Sequence, residues 1–199
     1  MQEGYRIVGT DSSPEMLDQC RELAREKGLM PDLHRQFMQQ LSLDEQFGFI
    51  FIDDCTFTLV VEDRDIHELF NRVWNHLKSN GTFLFDFYAT RPDAKPTNNV
   101  VQQSWVKAPD DSIFVSKKIS SYDPETRITN TLQIHDRYVN GEFVGSQAYE
   151  DPNREHDTAA IVAMLSAIGF VQIQVGGYHT DEAPSAGSNM ISIRCKKEG

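Results

Sequence analysis

The sequence predicts an α/β domain with a doubly wound, mostly parallel sheet, an inserted antiparallel β segment and a C-terminal antiparallel hairpin. Three observations carry this reading. Short apolar runs alternate with amphipathic helical segments across residues 6–88. From 100 to 150 the pattern becomes β-branched and aromatic alternation broken by turn signals, and after that a helical stripe and two strand-like runs return. Strands joined by helices make right-handed crossovers onto a parallel sheet, whereas turn-linked alternation makes antiparallel strands.

In order along the chain, "RIVGT" is a short strand that runs into Asp11. Ser13 then suits an N-cap, Pro14 the first helical position and Gly28 the position after the last turn, and Met16, Leu17, Cys20, Leu23 and Ala24 fall at helical spacing between them. "GFIFI" at 48–52 is a continuous apolar run, as expected of a strand buried on both faces of a parallel sheet. Ile66, Leu69, Phe70, Val73, Trp74 and Leu77 stripe the next helix, "SNG" at 79–81 stops it, and "TFLFDFY" at 82–88 is the following strand. In the insert, "YDPETR" at 122–127 and "VNGEF" at 139–143 mark turns, with Asn140-Gly141 the favoured pair for a type I′ hairpin. Ala160, Ile161, Met164, Leu165 and Ile168 stripe a last helix ended by Gly169, and "FVQIQVGGY" and "MISIRC" form the closing hairpin.

The 199 residues are 39% hydrophobic and 25% charged, which is ordinary for one domain spanning 1–199 with the insert at 100–150 inside it. Nineteen basic against 30 acidic side chains give a net charge of −11, so a phosphate backbone would be repelled and nucleic acid is not an expected partner. Cys20, Cys55 and Cys195 are odd in number and widely spaced, which points to a reducing compartment and not to disulfides or zinc. No apolar run approaches the roughly 18 residues of a membrane span, and no signal-peptide pattern is evident, so the expected location is the cytoplasm. The histidines show no ligand spacing, and neither a nucleophile elbow nor a phosphate loop is present, so no metal site is expected.

Ligands of such sheets bind at the carboxyl ends of the strands, where Asp11 and the Asp53-Asp54 pair lie. Taken with "VGTDSSPEML", "FGFIFIDD", "HLKSNGTFLFDFY" and "AIGFVQIQVGGY", the chain resembles the class I S-adenosylmethionine-dependent methyltransferases, a Rossmann-like family, and within it the bacterial small-molecule branch with a β insert before the last helix. Order and spacing across nearly the whole chain make the resemblance specific.

The resemblance implies S-adenosylmethionine as cofactor and a small-molecule substrate. Asp11 matches the acid that accepts hydrogen bonds from both ribose hydroxyls, with capping of the helix at Pro14 as the alternative. Met16 matches a position that packs on adenine, or is a core methionine. Phe37 stands where the family usually has an acid for the adenine amino group, so adenine recognition is weakened or shifts to the backbone or to Met38. "IDDCTFTLV" occupies the active-site loop, which makes Asp54 the candidate that orients or deprotonates the acceptor, with Asp53 its cofactor-side neighbour; a solvated acidic loop is the alternative. Tyr88, Tyr178 and His179 follow strand ends and could line the same mouth.

The family's first strand and glycine-rich turn have no counterpart before Tyr5, so the chain reads as N-terminally truncated. That strand is central in the family sheet. Its gap would be left by a fragment, be filled by another segment or chain, or be closed up by the sheet. Weak cofactor binding follows as an expectation. A non-catalytic relative acting in assembly is the rival reading; the insert, lying over the strand ends as a lid, or the open sheet is a candidate homodimer surface.

Overall fold

The computed structural model describes residues 4–180, 182–185 and 187–199. β1 (Val8–Asp11) leads into α1 (Pro14–Glu26). The Ser13 side chain caps α1 by accepting from the Met16 amide at 3.2 Å. The chain returns as β2 (Asp32–Arg35), parallel to β1 with Asp11 opposite Arg35. β3 (Phe47–Ile52), α2 (Asp63–His76) and β4 (Leu77–Tyr88) form the next crossover, with β3 and β4 parallel.

Four long strands follow: β5 (Thr97–Lys107), β6 (Ile113–Asp123), β7 (Ile128–Val139) and β8 (Glu142–Arg154). They make their own antiparallel sheet in sequential order. Asn140 and Gly141 both take positive φ, 52° and 82°, as a type I′ turn requires. α3 (Thr158–Ile168), β9 (Phe170–Gly177) and β10 (Met190–Lys197) complete the chain, and β10 lies antiparallel between β4 and β9. Asp157 caps α3, and Gly169, at φ 115° where an added Cβ would lie 3.0 Å from the Trp74 ring, ends it.

α2 and α3 both pack on one face of the β3–β4–β10–β9 sheet, and the core between them is aromatic. Phe57, Phe70, Phe83, Phe85 and Phe87 are fully buried, with the Phe57 and Phe70 rings parallel at 5.5 Å. Here the structure corrects one expectation. β3 is buried on one face only: Ile50 and Ile52 pack on the core, whereas Phe49 and Phe51 are 51% and 55% exposed. The α1 stripe is also mostly uncovered, since Leu17 is buried but Met16 and Leu23 are more than half exposed. Periodicity tells which side chains share a face, not whether another layer covers that face.

Among the described residues β1 pairs only with β2, and β3 only with β4, so the parallel layer is in two pieces and has not closed up. The Arg6 guanidinium links them ionically, with Nη2 2.7 Å from Glu45 Oε1. The insert is anchored beside the 3-10 turn Thr56–Leu59 that follows β3. Thr58 donates to Asn153 at 2.8 Å, and Arg154 donates to the Val61 carbonyl at 2.6 Å and to Asp63 at 2.7 Å. Glu155, 5% exposed, ties the two chain crossings together by accepting from Arg91 and from the Tyr122 hydroxyl.

Candidate active site

β3 ends at Ile52 because the backbone turns sharply: Asp54 and Cys55 both have φ near 55°, a left-handed pair that no strand can continue. The Asp53 carbonyl accepts from the Thr56 amide and hydroxyl at 3.1 and 2.7 Å, which fixes the turn and leaves both carboxylates at the strand end. On β4 the phenylalanines face the core, so Asp86, in alternation with them, points to the opposite face.

Asp86 is only 4% exposed. The Ser192 hydroxyl, from β10, donates to Asp86 Oδ1 and accepts from the His179 amide at 3.1 Å. His179 Nε2 lies 3.1 Å from Asp53 Oδ1 and 3.6 Å from Asp86 Oδ2. Burial pushes the Asp86 carboxyl above its usual range; the Ser192 hydrogen bond and His179 oppose this, and Asp53 adds to it. Burial, Cys55 and Asp54 likewise raise the Tyr88 phenol, and burial with nearby acids pushes the Cys55 thiol up to about 11, so it carries no thiolate at neutral pH. One ligand atom from each of Asp53, Asp86 and His179 falls within 4.8 Å of the others, a donor set that could also hold a divalent cation. Asp53, Asp86, His179 and Ser192 line the upper end of a cavity of about 650 Å3 that runs down the open sheet face over Phe51 and Leu84.

The other predicted residues gather at the ends of β1 and β2. Asp11 Oδ1 accepts from the Ser13 amide at 2.8 Å and its carbonyl from the Gln36 amide at 3.0 Å, which sets Phe37 beside it. Phe37 and Met16 are each 55% exposed, whereas Met38 packs against the core. Asp53 lines the large cavity; Asp11, Met16, Phe37, Met38 and Asp54 are outside its lining. Two members of the strand-end cluster, Asp86 and Ser192, escaped the sequence reading. A signal existed: in "FLFDFY" one acid interrupts an otherwise apolar strand, and a buried acid needs partners.

A parallel layer with acids at its carboxyl ends and an antiparallel terminal hairpin is a Rossmann-like architecture. Residues 1–81 match the family model described as methyltransferase domain. A Geobacillus sp. (strain WCH70) protein named as a candidate methyltransferase is 21% identical over 197 residues, covering 98% of this chain and 77% of that protein. The crystal structure of an S-adenosylmethionine-dependent methyltransferase from Clostridium acetobutylicum ATCC 824 superposes with a TM-score of 0.76 at 20% identity, over 96% of this chain and 74% of that one. A sugar N-methyltransferase from Streptoalloteichus sp ATCC 53650 gives 0.71 at 12% identity, over 96% and 71%. By the match over residues 1–81 and by its fold, the chain is similar to the class I S-adenosylmethionine-dependent methyltransferases.

Proposed function

We propose that this chain transfers a methyl group from S-adenosylmethionine to an oxygen, nitrogen or carbon nucleophile of a small molecule. The observation that carries the reading is the group of acids and His179 at the carboxyl ends of β3 and β4, next to an open cavity. The residues fit the cofactor. Asp11 has one oxygen engaged by Ser13, and a carboxylate has capacity for further donors, which suits ribose hydroxyls. Met16 and Phe37 offer exposed apolar surface near it, which suits adenine, and Met38 packs on the core. Asp53 and its acidic neighbours supply negative potential where a sulfonium would be held. When bound, the cofactor supplies an electrophilic methyl on sulfur.

The chain's own part is positioning and proton transfer. Asp54, on the left-handed turn, orients the acceptor and takes its proton, with Asp53 held in place by His179. The neighbour that is a sugar N-methyltransferase supports a small polar acceptor. The comparisons do not favour the assembly-only reading.

Thermal unfolding with added S-adenosylmethionine or S-adenosylhomocysteine tests this. The expected result is an upward shift at millimolar ligand that Asp11→Ala removes. An unfolding temperature unmoved by either ligand would overturn the reading.

A further inference from the structure

The insert sheet has two outer edges of different chemistry. β8 carries Glu142, Glu150, Asp151 and Pro152, the charges and proline that keep a free edge from pairing. β5 has none of these: from Thr97 to Val106 it holds neither a charge nor a proline, and every residue of the strand is exposed. Val101 is 65% and Trp105 70% exposed. The bulge at Thr97/Val100 lies at the start of the strand and leaves the rest regular. A long, uncharged edge that is not blunted is a pairing surface.

We propose that β5 pairs antiparallel with β5 of a second copy of this chain, about a twofold axis at Gln103. A second copy fits for two reasons. A chain of net charge −11 repels itself over most of its surface, so copies can approach only along a strip without charge, which this edge supplies. The sequence of the edge is also self-complementary in this register. Val101 faces Trp105 of the partner subunit on one side of the sheet, Val100 faces Val106 of the partner subunit on the other, and the polar Gln102 and Ser104 oppose each other. A twofold contact needs this property, because the same strip must serve as both halves of the interface. The paired strands join two four-stranded sheets into one of eight and give the free β5 amides and carbonyls their partners.

Sedimentation equilibrium on the full chain, with Val101→Lys and Trp105→Lys as variants, tests the interface. The expected result is a wild-type dimer and at least about a tenfold rise in dimer dissociation constant in each variant, through an apolar cross-strand contact replaced by a charge. Unchanged circular dichroism and unfolding of the monomeric form would show that the variants fold. Opposed Cα atoms in an antiparallel pair are about 4.5–5.5 Å apart, within disulfide reach. Gln103→Cys in a Cys20→Ser background is therefore expected to cross-link on mild oxidation, and Gln102→Cys is not. A wild type that stays monomeric at hundred-micromolar concentration, a dimer indifferent to both lysines, or cross-linking at 102 in place of 103 would each overturn the proposal.

Discussion

The Asp86 carboxylate on β4 and the Ser192 hydroxyl on β10 meet in a buried hydrogen bond on the sheet face opposite the aromatic core. Ser192 also accepts from the His179 amide, so one hydroxyl holds both the buried acid and the turn that carries the imidazole to Asp53. Ser192→Ala leaves a buried carboxylate and a backbone amide each without this partner, at an expected cost of about 2 kcal/mol. The pH dependence has a definite sign. Asp86 is held above its unfolded value, so its stabilising contribution is present at pH below that value and fades as pH rises through the folded one. The hydroxyl opposes that upward shift. Urea titrations should therefore show a larger gap between wild type and Ser192→Ala at neutral than at acid pH; a gap that is constant or larger in acid would contradict the assignment.

His156 gives the opposite trend. Its ring packs 4.8 Å from Phe57, Nε2 is buried without a hydrogen-bond partner, and burial, with the nearby Arg154 charge, lowers its pKa to about 4. Since the unfolded chain takes up the proton near pH 6.5, stability is kept above that value and lost as pH falls towards the folded one. About 2 kcal/mol should disappear between pH 7.5 and pH 5. His156→Leu should flatten this dependence in urea unfolding curves, and a variant with the wild-type slope would assign the acid loss to other groups.

The two faces of β3 and the turn after it can be told apart by truncation. Phe57 stacks on Phe70 and touches Phe85 and Phe87, so Phe57→Ala should destabilise by about 3–5 kcal/mol. Phe51, facing the open side, should tolerate alanine within about 0.5 kcal/mol. A large loss at Phe51 in thermal unfolding would show that this face is covered in solution.

The contrast also shows what was legible in the sequence. Element identity was readable because it is local: Ser13-Pro14 starts one helix, Gly169 ends another, and Asn140-Gly141 makes its turn. Coverage was not, because Phe49, Phe51, Met16 and Leu23 have the spacing of buried residues whether or not a layer faces them. In the site, Asp53 and Asp54 could be placed from the strand end they follow. Asp86, Ser192 and His179 come together only through β10 pairing between β4 and β9, a long-range register that no local pattern encodes.

The two strand-end acids should separate kinetically. Asp11 ends β1, beside the exposed Phe37, while Asp54 sits on the left-handed turn after β3, where burial first, and then nearby charges that include Asp54, raise the phenols of Tyr88 and Tyr178. If Asp11 holds the ribose, Asp11→Ala removes charge-assisted hydrogen bonds made equally in the ground and transition states, so cofactor dissociation constants should rise about 10–100-fold with little change in kcat. If Asp54 takes the acceptor's proton, Asp54→Asn keeps the shape of the turn but lacks the base, and kcat should fall about 100-fold or more with cofactor affinity nearly intact. The asparagine also suits the left-handed φ of 55° at this position, which keeps a folding defect from imitating the kinetic one. Calorimetry with S-adenosylhomocysteine gives the first quantity, and turnover of a small-molecule acceptor at saturating cofactor gives the second. Equal losses of affinity and turnover at Asp54 would make it a residue of the cofactor site.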